Sequence, residues 1–171
     1  YEGMAMLADK YDMDLIGGDT VSIAKTLVIT VTVLGEVEKG TRLLRSHAKP
    51  GDIVFVTGTI GDSAAGLNLL LHNGKDHSFT KLEKTLIDKH QYPKPRVKIG
   101  RLLSTIQRVS LNDISDGLAS ETNEIAKASG VTLLIDEDKI PISEVVLDRF
   151  TDRALEFALY GGEDFELVGT M

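Results

Sequence analysis

Cysteine is missing altogether from these 171 residues, which excludes a disulfide, a thiolate metal site and a cysteine nucleophile within them. Apolar runs long enough to span a bilayer are also missing, and no secretory signal opens the chain, so a cytoplasmic setting is the expectation. Positive charge is in deficit: 19 Lys and Arg stand against 26 Asp and Glu, a net charge of -7. Such a balance argues against nucleic acid as a partner, because binding a phosphate backbone needs a positive surface. A phosphorylated small molecule remains admissible if metal ions supply the positive charge. The four histidines, at 47, 72, 77 and 90, show no zinc-ligand spacing and read as exposed loop or helix positions. The chain starts at Tyr1 inside a helical pattern, without an initiator Met, which predicts a fragment.

What is present is ordinary for a globular protein, with 42% hydrophobic and 26% charged residues. The length allows one good core, or one domain and part of another. Periodicity predicts helices over 2–11, 64–71, 81–89, from about 95, over 118–129 with Gly130 as the stop, from a Ser143 cap, and over 154–160. Strands are expected at 12–16, 27–34, 53–57, 108–112, 131–135 and 165–168, that at 27–34 having the cleanest alternation. Residues 73–80 read as a polar loop. Strands and helices interleave without an internal repeat, so the class is mixed α/β. Arg96, near a helix start, opposes the helix dipole and calls for either solvent exposure or an anionic partner.

The chemistry gathers around Asp113-Ile-Ser-Asp-Gly117, where a strand pattern runs into a helical one. The two-residue period puts Asp113 and Ser115 on one face, and Asp116 falls at the turn. Carboxylates and a hydroxyl beside a glycine and a helix N-terminus suit magnesium and its phosphates. The plainer alternative is that Asp116 caps the helix and Asp113 is solvated. Three other turns share the pattern: Gly17-Gly18-Asp19, Gly61-Asp62 and Gly161-Gly162-Glu163-Asp164. Each alone fits the backbone preferences of Asp and Gly. Four together predict a multi-magnesium site holding a polyphosphate, since converging carboxylates repel unless cations separate them. Phosphoryl transfer follows, as a chemistry of positioning and charge neutralisation. The Gly58–Ser63 loop makes a weak anion cradle without a P-loop ending. Reading Gly61-Asp62-Ser63 as an esterase signature fails for want of a histidine after His90, and the stricter elbow fails because position 65 is Ala.

These segments, together with Arg45-Ser-His-Ala-Lys-Pro-Gly-Asp52, Pro93-Lys-Pro-Arg-Val97 and Tyr160-Gly-Gly-Glu-Asp-Phe-Glu-Leu167, resemble the thiamine-monophosphate kinases. That family sits in the superfamily that also holds aminoimidazole ribonucleotide synthetase and selenophosphate synthetase. The resemblance implies ATP-dependent phosphorylation of thiamine monophosphate to thiamine diphosphate with several magnesium ions. Asp19, Asp62, Asp113 and Asp116 would be metal ligands; Gly61, Asp62, Arg96 and Ser115, with Arg45, would contact ATP; Glu163 would contact the thiamine substrate. It also implies a two-domain architecture, with residues 1–38 as the end of an N-terminal ATP-binding and dimerisation domain and 39–171 as most of the C-terminal α/β domain. The full-length family protein is expected to be a homodimer. An earlier Gly-Asp-Asp segment would precede Tyr1, and residues helping to hold the thiamine ring would follow Met171. His47 replaces a usual Gly, and 72–92 is longer than in the family. A sibling synthetase using the same ATP site, or a nucleotide-binding fragment without turnover, are the alternative readings.

Overall fold

Strand β3, Leu167–Thr170, lies between the other two strands of an antiparallel sheet and pairs with both. On one side β1, Val54–Val56, sets Val54 opposite Thr170 and Val56 opposite Val168. On the other, β2, Ser110–Asp113, sets Ser110 opposite Thr170 and Asp113 opposite Leu167. The protein is described from a computed structural model over residues 1–74 and 77–171, and the part of the 73–80 loop at 75 and 76 lies outside the described residues. Two compact units are present, Tyr1–Glu36 and Val37–Met171.

In the first unit, α1, Glu2–Tyr11, ends where Asp12 turns left-handed at φ 55° and the Met13 amide bonds back to the Ala8 carbonyl at 2.9 Å. The remainder of this unit has no regular element. The strands expected at 12–16 and 27–34 are therefore corrected: both segments are irregular, and Leu27 is 85% exposed. Alternation supplies side chains for a sheet surface, but a strand exists only where another backbone accepts its hydrogen bonds. Among the described residues none pairs with these segments.

In the second unit the helices form where periodicity places them: α2 Asp62–Asn73, α3 Lys81–Gln91, α4 Val97–Leu103, α5 Leu118–Ser129, α6 Glu144–Arg149 and α7 Ala154–Tyr160. Thr80 and Glu83 make a reciprocal capping box at α3, and Ser143 accepts the Val146 amide at α6. Gly130 ends α5 at φ 65°. Helix α4 starts at Val97 and not near 95, so Pro95 stands outside it.

Two cores result. Ile60, Ile114, Leu118, Ile125, Ala158 and Val168 pack around the sheet, while Ala65, Leu69, Leu86, Val146 and Phe157 fill the space among α2, α3, α6 and α7. The strand expected at 131–135 is a second correction. Val131 and Leu133 do turn toward the sheet core and Leu134 turns away at 86% exposure, but no strand pairs with their backbone among the described residues. The last expected strand moves from 165–168 to Leu167–Thr170, because Phe165 adopts φ 48° and interrupts extended geometry.

Candidate active site: three acidic turns held by backbone

The β2–β3 ladder continues past the sheet into two of the acidic turns. Ile114 donates its amide to the Glu166 carbonyl at 2.7 Å, Phe165 donates to the Ile114 carbonyl at 2.9 Å, and Glu163 donates to the Ser115 carbonyl at 2.8 Å. The Asp-Ile-Ser-Asp-Gly and Gly-Gly-Glu-Asp motifs are thereby zipped side by side. Gly162 allows this, since a Cβ there would run into the Ser115 carbonyl oxygen.

The third turn is tied in by Asp164. Its carboxylate accepts the amides of Gly61 at 2.8 Å and Ser63 at 3.1 Å, filling the N-terminus of α2, which no side chain of the helix itself caps. Gly61 stands at φ 90°, and a Cβ on it would lie 2.8 Å from the Ala158 amide nitrogen, so the turn needs glycine on both counts. Burial raises the Asp164 carboxyl to about 6, against the lowering effect of the two amides; the neighbouring Asp62 charge adds to the rise and Lys89 offsets it.

The proposed ligands are disposed unequally. Asp113 and Asp116 are exposed, with no carboxylate partner among the described residues. Asp62 is buried and committed to Lys89 at 3.1 Å, with Thr59 and Ser143 hydroxyls on its oxygens. Asp19 lies in the first unit and accepts the Thr20 amide at 2.8 Å. Among the described residues no three Asp, Glu or His side chains come together as a cation site. Asp113 and Asp116 fit magnesium, which takes one or two carboxylates and completes its shell with water and phosphate. Asp62 fits only if a cation exchanges for Lys89.

Ser115 is half-buried and donates to Glu121 at 3.3 Å; Glu121 also accepts the Asp116 amide at 3.3 Å and the Asn112 side-chain amide. Asn112 in turn accepts from Arg45 Nε at 3.0 Å, which connects Arg45 to the central motif through two side chains. Glu163 is exposed and strained at φ 67°. It lines a depression of about 280 Å³ with His90, Arg153 and Phe157.

Arg96 has an anionic partner, deciding between the two possibilities its position allowed. It forks onto Glu166, its Nε 2.6 Å from one carboxylate oxygen and its Nη2 on the other. Arg96, Lys89 and Lys94 line a cleft of about 570 Å³, with Asp164 and Glu166 in its wall. Asp164 was named only as part of its acidic turn, and neither it nor Glu166 was assigned a role of its own. The signal was available, since they follow Glu163 in the same acidic run, but their partners lie about 100 and 70 residues away in sequence.

His90 also corrects one argument. It does not stand free, because its Nδ1 lies 3.0 Å from the Ser63 hydroxyl. The esterase reading fails for a different reason: Ser63 is 0% exposed and has no access to a substrate.

The comparisons extend these observations. The family model described as AIR synthase related protein, C-terminal domain, matches residues 49–168. Thiamine-monophosphate kinase of Bacillus subtilis (strain 168) is 57% identical over all of this chain, which covers 52% of that protein. The crystal structure of thiamine-monophosphate kinase from Stenotrophomonas maltophilia K279a superposes with a TM-score of 0.73 at 33% identity, over 78% of this chain and 43% of that one. AaThiL complexed with AMPPCP and TMP gives 0.69 at 37% identity, over 75% and 41%. This chain thus spans about half the length of the curated relatives it matches. With most of its second unit inside the matched region, the chain belongs to the AIR synthase related family through that family's C-terminal domain.

Proposed function

We propose that the protein takes part in ATP-dependent phosphorylation of thiamine monophosphate to thiamine diphosphate, by direct transfer between two bound phosphate groups. The observation that carries this reading is the 57% identity, maintained along the whole chain, to a thiamine-monophosphate kinase. The solved relative holding AMPPCP, an ATP analogue, together with TMP supports the pair of substrates. In this reading residues 1–38 belong to the N-terminal domain, 39–171 to the C-terminal domain, and the complete protein is a cytoplasmic homodimer.

Asp113 and Asp116 would hold magnesium, with Asp62 as a further ligand once Lys89 is displaced; Asp19, in the first unit, is a separate candidate ligand. Gly61, Ser115, Arg96 and Arg45 take the nucleotide, and Glu163 takes the thiamine substrate. Bound magnesium supplies positive charge that lowers the repulsion between the two anionic substrates. The chain's own cations, Lys89, Lys94 and Arg96, act in the same sense along the cleft. No side chain has to remove a proton, because a phosphate monoester with a second pKa of about 6 is already largely ionised near neutral pH. The residues orient, neutralise and exclude water.

The test is turnover by the complete gene product carrying Asp116→Asn. The Asp116 carboxylate is exposed and has no partner among the described residues, so the fold is expected to persist while thiamine diphosphate formation is abolished. Unchanged turnover would overturn the reading. Parent activity on an aminoimidazole or selenide acceptor in place of thiamine monophosphate would move the protein to a sibling reaction, and binding of nucleotide without any product would leave it a binding module.

A further inference from the structure

The Arg96–Glu166 fork lies in the cleft wall rather than on an open surface. Glu166 is 2% exposed, whereas Arg96 is partly open to the cleft. The carboxylate is fixed from three directions: by both arms of the guanidinium, by the Thr57 hydroxyl at 2.6 Å, and by the glycine at 58. Gly58 stands at φ 62°, and a Cβ there would occupy the space of the Glu166 carboxylate. Thr57 is itself anchored, since its hydroxyl accepts the Leu167 amide at 2.8 Å and its own amide bonds to the Leu167 carbonyl at 2.9 Å. The anchor is thus the first pair beyond the β1–β3 ladder.

A buried carboxylate with this many partners holds one geometry, and a planar guanidinium gripped through two nitrogens has little rotational freedom left. Arg96 is also the N-cap residue of a short helix, following Pro93 and Pro95, so its backbone is constrained from the other side. An ordinary surface ion pair would leave the arginine free to swing, and preorganisation of a phosphate-binding arginine reduces the ordering cost of binding.

We infer that Glu166 is a positioning residue for nucleotide binding, holding the Arg96 guanidinium in the cleft in the orientation that a nucleotide polyphosphate requires. The inference rests on the proposed kinase reading, in which Arg96 contacts ATP. Glu166 acts through Arg96 and does not touch the nucleotide.

The experiment is calorimetric titration of the complete gene product with AMPPCP and magnesium, and separately with thiamine monophosphate, for the parent, Glu166→Gln, Arg96→Ala and the double variant. Glu166→Gln keeps the shape and one acceptor but removes the charge. Nucleotide affinity is expected to fall about tenfold, by analogy with the loss of metal affinity when a partner that orients a metal ligand is removed, with thiamine monophosphate affinity unchanged. The double variant is expected to bind nucleotide no more weakly than Arg96→Ala alone, because a residue acting through another adds nothing once that residue is gone. Equal losses for both ligands, undiminished nucleotide affinity in Glu166→Gln, or additive losses in the double variant would each overturn the inference. Arg96→Lys, on the more open side of the pair, is the second variant should Glu166→Gln fail to fold. It keeps the charge without the fork, and nucleotide affinity equal to the parent would again overturn the inference. A parent protein that binds no nucleotide would refute the kinase reading instead, so the two failures are distinguishable.

Discussion

Asp164 reaches across about 100 residues of sequence to accept the Gly61 amide at 2.8 Å, so that one acidic turn caps the helix that begins in another. A carboxylate at this place satisfies donors that a helix N-terminus otherwise leaves to water, and it meets the positive end of the helix dipole. It also draws Glu163 and Ser115 toward the same end of the sheet, through the amide-to-carbonyl bond between them at 2.8 Å.

Asp164→Ala is expected to lower stability most in acid, by about 1 kcal/mol, the usual cost of losing an N-cap, and by less at pH 7. The pH dependence has a definite sign. With the folded carboxyl raised from 3.8 to about 6, the native state binds more protons than the unfolded state in between. Its favourable contribution is full below 3.8 and is lost as pH rises through about 6. Urea midpoints measured across this range should show that decline in the parent, and in Asp164→Asn the decline should be absent.

Asp52 carries the opposite dependence. The Arg108 side chain, bonding at 2.6 and 2.7 Å, and then the Lys49 amide hold its carboxyl well below the usual carboxylate range. Its contribution is present above the ordinary carboxylate pKa and is lost as pH falls through the depressed folded value. Arg108→Met is expected to be less stable than the parent at pH 7, with the gap narrowing in strong acid. Denaturant midpoints at the two pH values measure the gap, and a constant gap would count against the assignment.

Gly66 sits in the middle of α2, where alanine would normally improve a helix by up to about 1 kcal/mol. Here a Cβ would press into the Leu86 carbonyl oxygen of α3, a backbone atom that cannot rotate away. Overpacking of this kind typically costs about 1–3 kcal/mol, so Gly66→Ala is expected to destabilise despite its propensity. Chemical denaturation decides the sign.

Glu163 is an exposed, non-glycine residue at φ 67°, a conformation that costs a side chain energy and has no packing role to justify it. On the proposed kinase reading, Glu163→Gly in the complete gene product is expected to match or exceed the parent in melting temperature, while catalytic efficiency with thiamine monophosphate falls and AMPPCP affinity is retained. A fall in both stability and nucleotide affinity would show that the residue serves the fold.

Much of the second unit was legible in advance. The helices followed from periodicity and from local capping signals at Ser143 and Gly130, whose partners lie within a turn or two of chain. The sheet was less legible. Residues 27–34 alternate as well as any strand and form none, whereas β3 begins only after Phe165 has turned away from extended geometry. Among the acids, Asp62 is the instructive case: its place beside Gly61 marked it as a ligand, while its burial against Lys89 depends on a helix that begins nearly 20 residues later.

The sequence by itself determined the helices and the chemical character of the turns, because a helix draws its hydrogen bonds from residues four apart and a glycine-acid turn carries its donors and acceptors within it. Only the tertiary structure decided which extended segments became strands, which carboxylates have no partner among the described residues, and that Asp164 and Glu166 hold Gly61 and Arg96. Those outcomes depend on partners far away along the chain, and a pairing of that kind exists only once packing has brought both groups out of water together.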